Sequence, residues 1–166
     1  YLSNYFYLLI IMSIPKHYYS GLSKKNTKQQ LNELKKSQKL YKKGIYYQRK
    51  KMPSFKGKKS KHVLNFERKY CTSISNLPKV AKVTGVPVKA LKKVIKKGMG
   101  AYYSSGSRPS QNAHSWAYAR LASTLTKNNA YKVDKHILDE AGVTIKPPPN
   151  KKSKKCDKFR KKNTQN

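Results

Sequence analysis

Two groups of residues in this sequence carry side chains that could contact phosphate. One group is the run of lysines in residues 87–97, and the other is the glycine-containing segment SSGSRP that follows it. Lysine ammonium groups attract phosphate as point charges, whereas hydroxyls, loop amides and a guanidinium can together surround it. Both groups therefore indicate a polyanionic ligand. The candidate residues are Lys89, Lys92, Lys93, Lys96, Lys97, Ser105, Ser107 and Arg108.

The net charge of the chain points to the same kind of ligand. The 166 residues include 39 Lys and Arg but only 6 Asp and Glu, which gives a net charge of +33. Solubility asks for a net charge of only about 2–8 on a small domain, and a larger excess repels itself. Nucleic-acid phosphate is the first candidate partner, because neutralised phosphates release counterions. An anionic membrane surface is the second candidate, and a merely solvated surface is the alternative to both.

The lysine run lies on the second of two short predicted helices. In residues 77–97, apolar residues recur at helical spacing on both sides of Gly85, and Pro87 suits the first turn of a new helix. This pattern resembles the helix-turn-helix of bacterial repressors of the lactose-repressor type. The resemblance implies that residues 87–97 face the DNA groove. They contain no Asn, Gln or Arg for bidentate base contacts, which favours nonspecific binding. The alternative is a helical hairpin whose lysines are only solvated.

The segment after this helix is expected to build the core. From Gly98 to Arg120 there is no lysine and no carboxylate. We expect the helix to end at Gly98, residues 98–111 to form a loop, and residues 113–126 to form a helix with bulky side chains, since buried lysines would be costly. Arg108 and Arg120 are expected to bind loop carbonyls or stack on an aromatic ring. The loop is either a phosphate cradle or purely structural. The predicted core residues are Leu91, Val94, Ile95, Tyr102, Trp116, Arg120 and Leu121.

Hydrophobic periodicity predicts an all-α fold: a small helical domain with a helix-turn-helix-like pair, flanked by basic helical and disordered arms. Further helices are predicted at residues 28–43, 61–70 and 131–140, with Ser60 as a cap of the second. Residues 45–61 are expected to form an extended basic arm. The predicted parts are an apolar segment (1–14), a basic arm with two short helices (15–75), the helical core domain (76–145) and a disordered basic tail (146–166).

The sequence offers few residues of the types that catalysis and metal binding require. No acidic residue lies between Glu67 and Asp134, and the four histidines are scattered. Paired carboxylates, a metal site and a cofactor are therefore not indicated. Arg108, His114 and Arg120 superficially match the Arg, His, Arg and Tyr set of DNA strand-transfer enzymes, but their spacing is too long. We predict that the protein is not an enzyme.

The chain ends bear on cellular location. The uncharged residues 1–14 are too short to span a bilayer, which takes about 20 residues, and they lack the features of a signal peptide. We expect Met12 to be the start and residues 1–11 to be upstream read-through or a fragment, with a hydrophobic anchor as the alternative. Cys71 and Cys156 are far apart, so we expect free thiols in a reducing compartment and a protein that is not secreted.

Three blocks of the sequence carry a family resemblance. KALKKVIKKGMGAYYSSGSRP, HSWAYARLAS and KVDKHIL resemble an uncharacterised domain of unknown function in nucleocytoplasmic large DNA viruses. A shorter form, with the pattern RG-x-GAY…RP…W-x-x-AR, is similar to a domain in tailed phages. The resemblance covers about residues 15–140. It implies a viral origin and a location in the virion or in the host cytoplasm or nucleus, at a viral factory, and it supplies no catalytic residues.

Two functions of different classes follow from these features. The first is nonspecific nucleic-acid binding in the packaging or condensation of a large viral genome, with DNA the preferred ligand and RNA the alternative. The second is a virion structural or scaffold protein whose basic arms bind acidic surfaces of other virion proteins or, less favoured, of a membrane. The 13 tyrosines suit both protein interfaces and stacking on unpaired bases. Many of them form pairs: Tyr18-Tyr19, Tyr46-Tyr47 and Tyr102-Tyr103.

Overall fold

The computed structural model describes residues 14–55 and 57–149, and within them the chain forms six α-helices, one short 3-10 helix and no β-strand. The all-α prediction is therefore confirmed for this part of the chain. The predicted upstream segment (1–11) and almost all of the predicted basic tail lie outside the described residues. The elements are a 3-10 helix at Lys16–Tyr18 and helices α1 (Lys24–Tyr41), α2 (Lys61–Tyr70), α3 (Leu77–Thr84), α4 (Val88–Ser104), α5 (Ala113–Leu125) and α6 (Asn129–Glu140).

Serine side chains set the starts of the first two helices. The hydroxyl of Ser60 accepts a hydrogen bond from the backbone N–H of His62 at 3.3 Å, so the predicted start of α2 is confirmed. Helix α1 begins one turn earlier than predicted. There Ser23 is extended (φ −62°, ψ 157°), and its hydroxyl accepts from the backbone N–H of Asn26 at 3.3 Å. This side chain satisfies a donor that the first helical turn leaves unpaired, so the helix starts here.

The prediction that α4 ends at Gly98 is wrong, because the helix continues to Ser104. Gly98 is needed for close packing instead. A Cβ atom at this position would lie 2.8 Å from the Cα of Ala117, nearer than Cβ atoms come to other heavy atoms in proteins, and 3.1 Å from its Cβ, a tight contact. Glycine therefore lets the backbones of α4 and α5 approach each other. The connection to α5 is correspondingly shorter than the predicted loop, and it starts around Gly106, whose φ is +104°.

The chain divides into two compact units. The first combines residues up to Lys58 with Gly100–Ala113, and the second combines Lys59–Met99 with the residues from His114 onward. Helix α4 contributes residues to both units, since its last turn belongs to the first. The division of the chain predicted from its charge, with boundaries at residues 14/15, 75/76 and 145/146, stays a prediction.

The second unit has an apolar core supplied by helices α2 to α6. Leu91, Val94 and Leu121 are buried in it as predicted, and Ile95 packs against it while partly exposed. Trp116 is only partly buried, because α5 turns small and aliphatic residues towards the core. The buried members of this core are Val63, Phe66, Tyr70, Ile74, Val80, Val86, Ala90, Leu91, Val94, Leu121, Ala122, Leu125, Ile137 and Leu138.

The first unit buries a smaller and more polar set of side chains. Tyr102 is completely buried here. Residues 45–52 form no helix, but they are not a free arm, because Arg49 and Met52 are 6% and 1% exposed. The backbone N–H of Met52 donates to the hydroxyl of Ser110 at 3.2 Å. The basic segment is thus held against the rest of its unit by buried side chains.

No helix in the described part of the chain is long and apolar enough to cross a membrane. The described residues also contain no group of three or more His, Cys, Asp or Glu side chains that could hold a metal ion. Cys71 is disulfide-bonded, so the prediction of a free thiol is wrong for this residue. Cys156 lies outside the described residues.

Candidate nucleic-acid interface

The first half of helix α4 separates an apolar face from a basic face. Ala90, Leu91 and Val94 are buried at helical spacing on one side, which fixes the orientation of the helix on the core. The opposite side faces solvent. The exposed lysines on it are Lys89, Lys92, Lys93 and Lys96.

Two of the five predicted lysines have carboxylate partners within the protein. The ammonium of Lys97 lies 3.2 Å from a carboxylate oxygen of Asp134 and donates to the carbonyl of Val133 at 3.0 Å. Lys93 lies 3.1 Å from Glu140, and both of these side chains are more than half exposed. An exposed ion pair of this kind contributes little to the stability of the fold, so the lysine can easily exchange the carboxylate for another anion. The ammonium of Lys97 is therefore occupied by contacts within the protein, whereas that of Lys93 stays accessible to an external anion.

The remaining three lysines form a solvent-facing row, which we call the lysine stripe: Lys89, Lys92 and Lys96. No carboxylate in the described part of the chain lies within 4.0 Å of their ammonium groups. Their spacing of three and four residues places them on one face of the helix. The stripe covers about 10 Å of helix axis at 1.5 Å per residue, close to the rise of three phosphates along one DNA strand.

A buried carboxylate fixes α4 to its neighbours. Asp134, on α6, has a side chain that is 0% exposed, and it accepts two hydrogen bonds of 2.7 Å from the guanidinium of Arg120 on α5. Thr124 donates to it at 3.0 Å, and Lys97 of α4 pairs with it. Burial alone raises the pKa of Asp134, but the hydrogen bonds and charge of Arg120, with those of Lys97 and Thr124, bring the pKa below its ordinary value. The cluster joins three helices of the second unit and holds the lysine stripe on a fixed scaffold.

Arg120 was expected to bind loop carbonyls or to stack on an aromatic ring, and its observed carboxylate partner corrects that expectation. The sequence held one signal for the pair. Asp134 is the only acidic residue between Glu67 and Asp139. Ile137 and Leu138 follow it at helical spacing, so Asp134 lies on the apolar face of its helix, and a carboxylate buried on such a face needs a cation to balance it.

The predicted phosphate cradle has few groups left to bind an anion. Ser105 and Arg108 are exposed, but Ser107 is 1% exposed. The hydroxyl of Ser107 accepts from the guanidinium of Arg49 at 2.7 Å and donates to the carbonyl of Arg108 at 3.0 Å. The backbone N–H groups of Ser105 and Gly106 both donate to a carbonyl of the preceding helical turn. These bonds favour the structural interpretation of the loop, and we leave Ser107 out of the candidate interface.

Sequence reasoning missed Arg49, the most buried cation among the described residues of the first unit. The guanidinium of Arg49 donates to the carbonyl of Tyr102 at 2.7 Å and to the hydroxyls of Ser37 and Ser107 at 3.1 and 2.7 Å. Its central carbon lies 3.6 Å from the centroid of the Tyr102 ring. Burial lowers the pKa of Arg49, and the nearby Tyr102, Tyr18 and Glu33 act against that change. The only sequence signal was an arginine in a run of lysines.

These features define a small, lysine-rich protein whose described residues form an all-α domain, with a basic helix face held on an ordered core. The chain belongs to the Family of unknown function (DUF5824), whose family model matches residues 15–141. The resemblance to a domain of unknown function is confirmed to this extent. No curated protein and no solved structure was found to match the chain. The viral origin and the helix-turn-helix resemblance stay predictions.

Proposed function

We propose that this protein binds nucleic acid nonspecifically through its positive charge, and that it packages or condenses a large viral DNA genome. The observation that carries the proposal is the lysine stripe on α4, in a chain whose net charge is +33. The choice of DNA over RNA rests on the resemblance to domains of large DNA viruses. In the proposed complex, the stripe contacts phosphates and leaves the base edges unread.

The connection between α3 and α4 supports a helix-turn-helix-like way of docking. Gly85 has a φ of +73° and its N–H donates to the carbonyl of Ala81 at 2.8 Å, which ends α3. The hydroxyl of Thr84 accepts from the N–H of Val86 at 3.3 Å and so fixes the turn. In helix-turn-helix proteins the second helix enters the major groove. Here that helix offers lysine ammonium groups, which suit phosphate better than bases.

The affinity of the proposed complex should fall by a calculable amount as the salt concentration rises. Each phosphate that a lysine neutralises contributes about −0.9 to the slope of log K against log salt concentration for duplex DNA. Three stripe lysines therefore account for a slope of roughly −2.7. Other exposed lysines of the chain add to this value, so the whole protein should show a steeper dependence.

The test is fluorescence-anisotropy binding of the full chain to two 20-base-pair duplexes of unrelated sequence, over a series of salt concentrations. We expect similar affinities for the two duplexes and a linear log–log plot with a slope steeper than about −3. Binding that hardly changes with salt would contradict the charge-driven mechanism. A large preference for one duplex would contradict nonspecific binding.

A second candidate function is that of a virion structural or scaffold protein. It is favoured by the exposed apolar side chains Ile45 and Tyr46, which are 51% and 69% exposed and resemble the aromatic-rich composition of protein interfaces. The discriminating experiment is a pull-down of virion components with the full chain, before and after nuclease treatment. Release of the captured proteins by nuclease supports nucleic-acid binding, and their retention supports the scaffold.

A further inference from the structure

We propose that three tyrosines of the first unit, Tyr41, Tyr46 and Tyr103, form a stacking platform for the bases of single-stranded nucleic acid. We call this group the tyrosine platform. The inference rests on the proposed function, because both require the chain to bind nucleic-acid phosphates. The inference goes further in one respect: the lysine stripe does not distinguish paired from unpaired strands, whereas the tyrosine platform would favour unpaired ones.

The three rings lie against one another, although Tyr103 is more than 50 positions from Tyr41 and Tyr46 in the sequence. The rings of Tyr41 and Tyr103 are nearly parallel, at 11° with centroids 6.1 Å apart. Tyr46 stands edge-on to both, with its centroid 5.9 Å from that of Tyr41 and 5.2 Å from that of Tyr103. Edge-on and offset contacts of this kind are the favoured arrangements of aromatic pairs. The platform is therefore ordered before any ligand binds.

Tyr46 is the part of the platform that a ligand meets. Its side chain is 69% exposed, and the adjacent Ile45 is 51% exposed. The turn before it is fixed: Gly44 has a φ of +76° and its N–H donates to the carbonyl of Tyr41 at 2.9 Å. The N–H of Ile45 donates to the carbonyl of Leu40 at 3.0 Å. A ring held at the surface in this way loses little conformational freedom on binding, which favours affinity.

The charges near the platform suit a polyanion that carries aromatic bases. Lys42 and Lys43 follow Tyr41 directly and are exposed, and Lys39, two residues before Tyr41, is also exposed. The sequence between Glu33 and Glu67 contains no acidic residue. The carboxylate of Glu33 itself accepts from the hydroxyl of Tyr47 at 3.0 Å and from the N–H of Lys50 at 2.9 Å. Aromatic rings beside cations are the combination that sequence-tolerant single-strand binding proteins use.

Base pairing decides which ligands can use the platform. In a duplex each base is covered by its neighbours in the stack, whereas an unpaired base exposes a face to a protein ring. An oligonucleotide backbone without bases offers the same phosphates and no face at all. A 20-mer of thymidine, a 20-base-pair duplex and a 20-mer of abasic sites therefore separate stacking from charge.

The test measures the affinity of the full chain for these three ligands, with the substitution Tyr46→Leu. We expect the affinity for the thymidine 20-mer to fall about 5- to 150-fold, as for the loss of one stacked base, with little change for the other two ligands. The salt slope should not change, since no charge is removed. Tyr46→Phe keeps the ring and should keep the affinity. Ile45→Ala, at the neighbouring exposed position, should alter it less than about twofold.

Three outcomes would overturn the inference. Equal losses on all three ligands would show that Tyr46 supports the local fold or the charge field, and thermal unfolding of the variant would separate those two causes. An unchanged affinity for the thymidine 20-mer would leave a protein interface as the use of the platform. A loss with Tyr46→Phe as large as with Tyr46→Leu would assign the effect to the hydroxyl. Failure of the proposed function is distinct, because the unmodified chain would then lack salt-dependent duplex binding.

Discussion

Replacing Gly98 with alanine tests the close packing of α4 and α5, on which the orientation of the lysine stripe depends. The new Cβ would lie 2.8 Å from the Cα of Ala117 and 3.3 Å from the Cδ of Arg120, whereas ordinary contact begins at 3.4 Å. Ala117 is completely buried. Because the nearest atom belongs to the backbone, it cannot rotate away, and the two helices must separate.

The expected size of the effect follows from two opposing contributions. Overpacking a core costs typically about 1–3 kcal/mol, and a clash with backbone falls at the upper end of that range. Alanine gains about 1 kcal/mol over glycine inside a helix. We therefore expect Gly98→Ala to lower the free energy of unfolding by about 2 kcal/mol.

The matched control is Gly100→Ala, two residues further along the same helix. The nearest heavy atom to a Cβ there is the hydroxyl oxygen of Tyr41 at 3.3 Å, the far end of a side chain that can move. This variant should be neutral or up to about 1 kcal/mol more stable. Since the helix-propensity gain is shared, the difference between the variants isolates packing. Urea unfolding followed by far-ultraviolet circular dichroism measures both, and equal stabilities would refute the close approach of α4 and α5.

Two buried charges give further predictions. Asp134→Asn leaves the guanidinium of Arg120 without its charge partner and should lower the free energy of unfolding by about 3–5 kcal/mol in urea titrations. In the folded protein the pKa of Asp134 lies below its ordinary value of 3.8. The stability that the ionised carboxylate contributes is therefore present above the ordinary pKa and is lost as the pH falls through the folded-state pKa. Acid titration of the free energy of unfolding should show this loss in the unmodified chain and not in the Asp134→Asn variant. Arg49→Lys should lower the free energy of unfolding by about 2 kcal/mol, because an ammonium cannot make the three hydrogen bonds and still cover the ring of Tyr102. Exposed Arg68→Lys, the control for that charge-conserving change, should leave the free energy of unfolding unchanged, and the same urea titrations measure both variants.

The parts of the fold that the sequence predicted well are those fixed by local interactions. Ser60 caps α2 where expected, because the cap involves residues two positions apart. Gly85 separates α3 from α4 for a similarly local reason, since its left-handed backbone satisfies the end of one helix. Helix α6 was predicted within two residues of its observed start, from the apolar residues on one face.

The parts that the sequence did not predict depend on contacts between distant residues. A glycine that ends a helix and a glycine that lets two helices approach look the same in one sequence, and the position of Ala117 decides the matter at Gly98. Arg49 lies in a basic run, yet its hydrogen-bond partners include Tyr102 and Ser107, more than 50 positions away. The tyrosine pairs in the sequence suggested stacking on bases or protein interfaces, but not which tyrosine rings lie together. The structure, by packing Tyr46 against Tyr103, shows which rings are ordered together.

The central claim is that the lysine stripe of α4 is a DNA-docking surface rather than one part of a uniform positive charge. The most direct measurement compares two triple variants of the full chain, Lys89, Lys92 and Lys96 to Gln and, as a charge-matched control, Lys24, Lys25 and Lys28 to Gln. All six lysines are exposed, and each variant loses three charges. In salt-dependent binding to a 20-base-pair duplex, the stripe variant should reduce the log–log slope by about 2.7, and the control should change it much less. Equal reductions in both variants would contradict the claim, because every exposed lysine would then contribute alike.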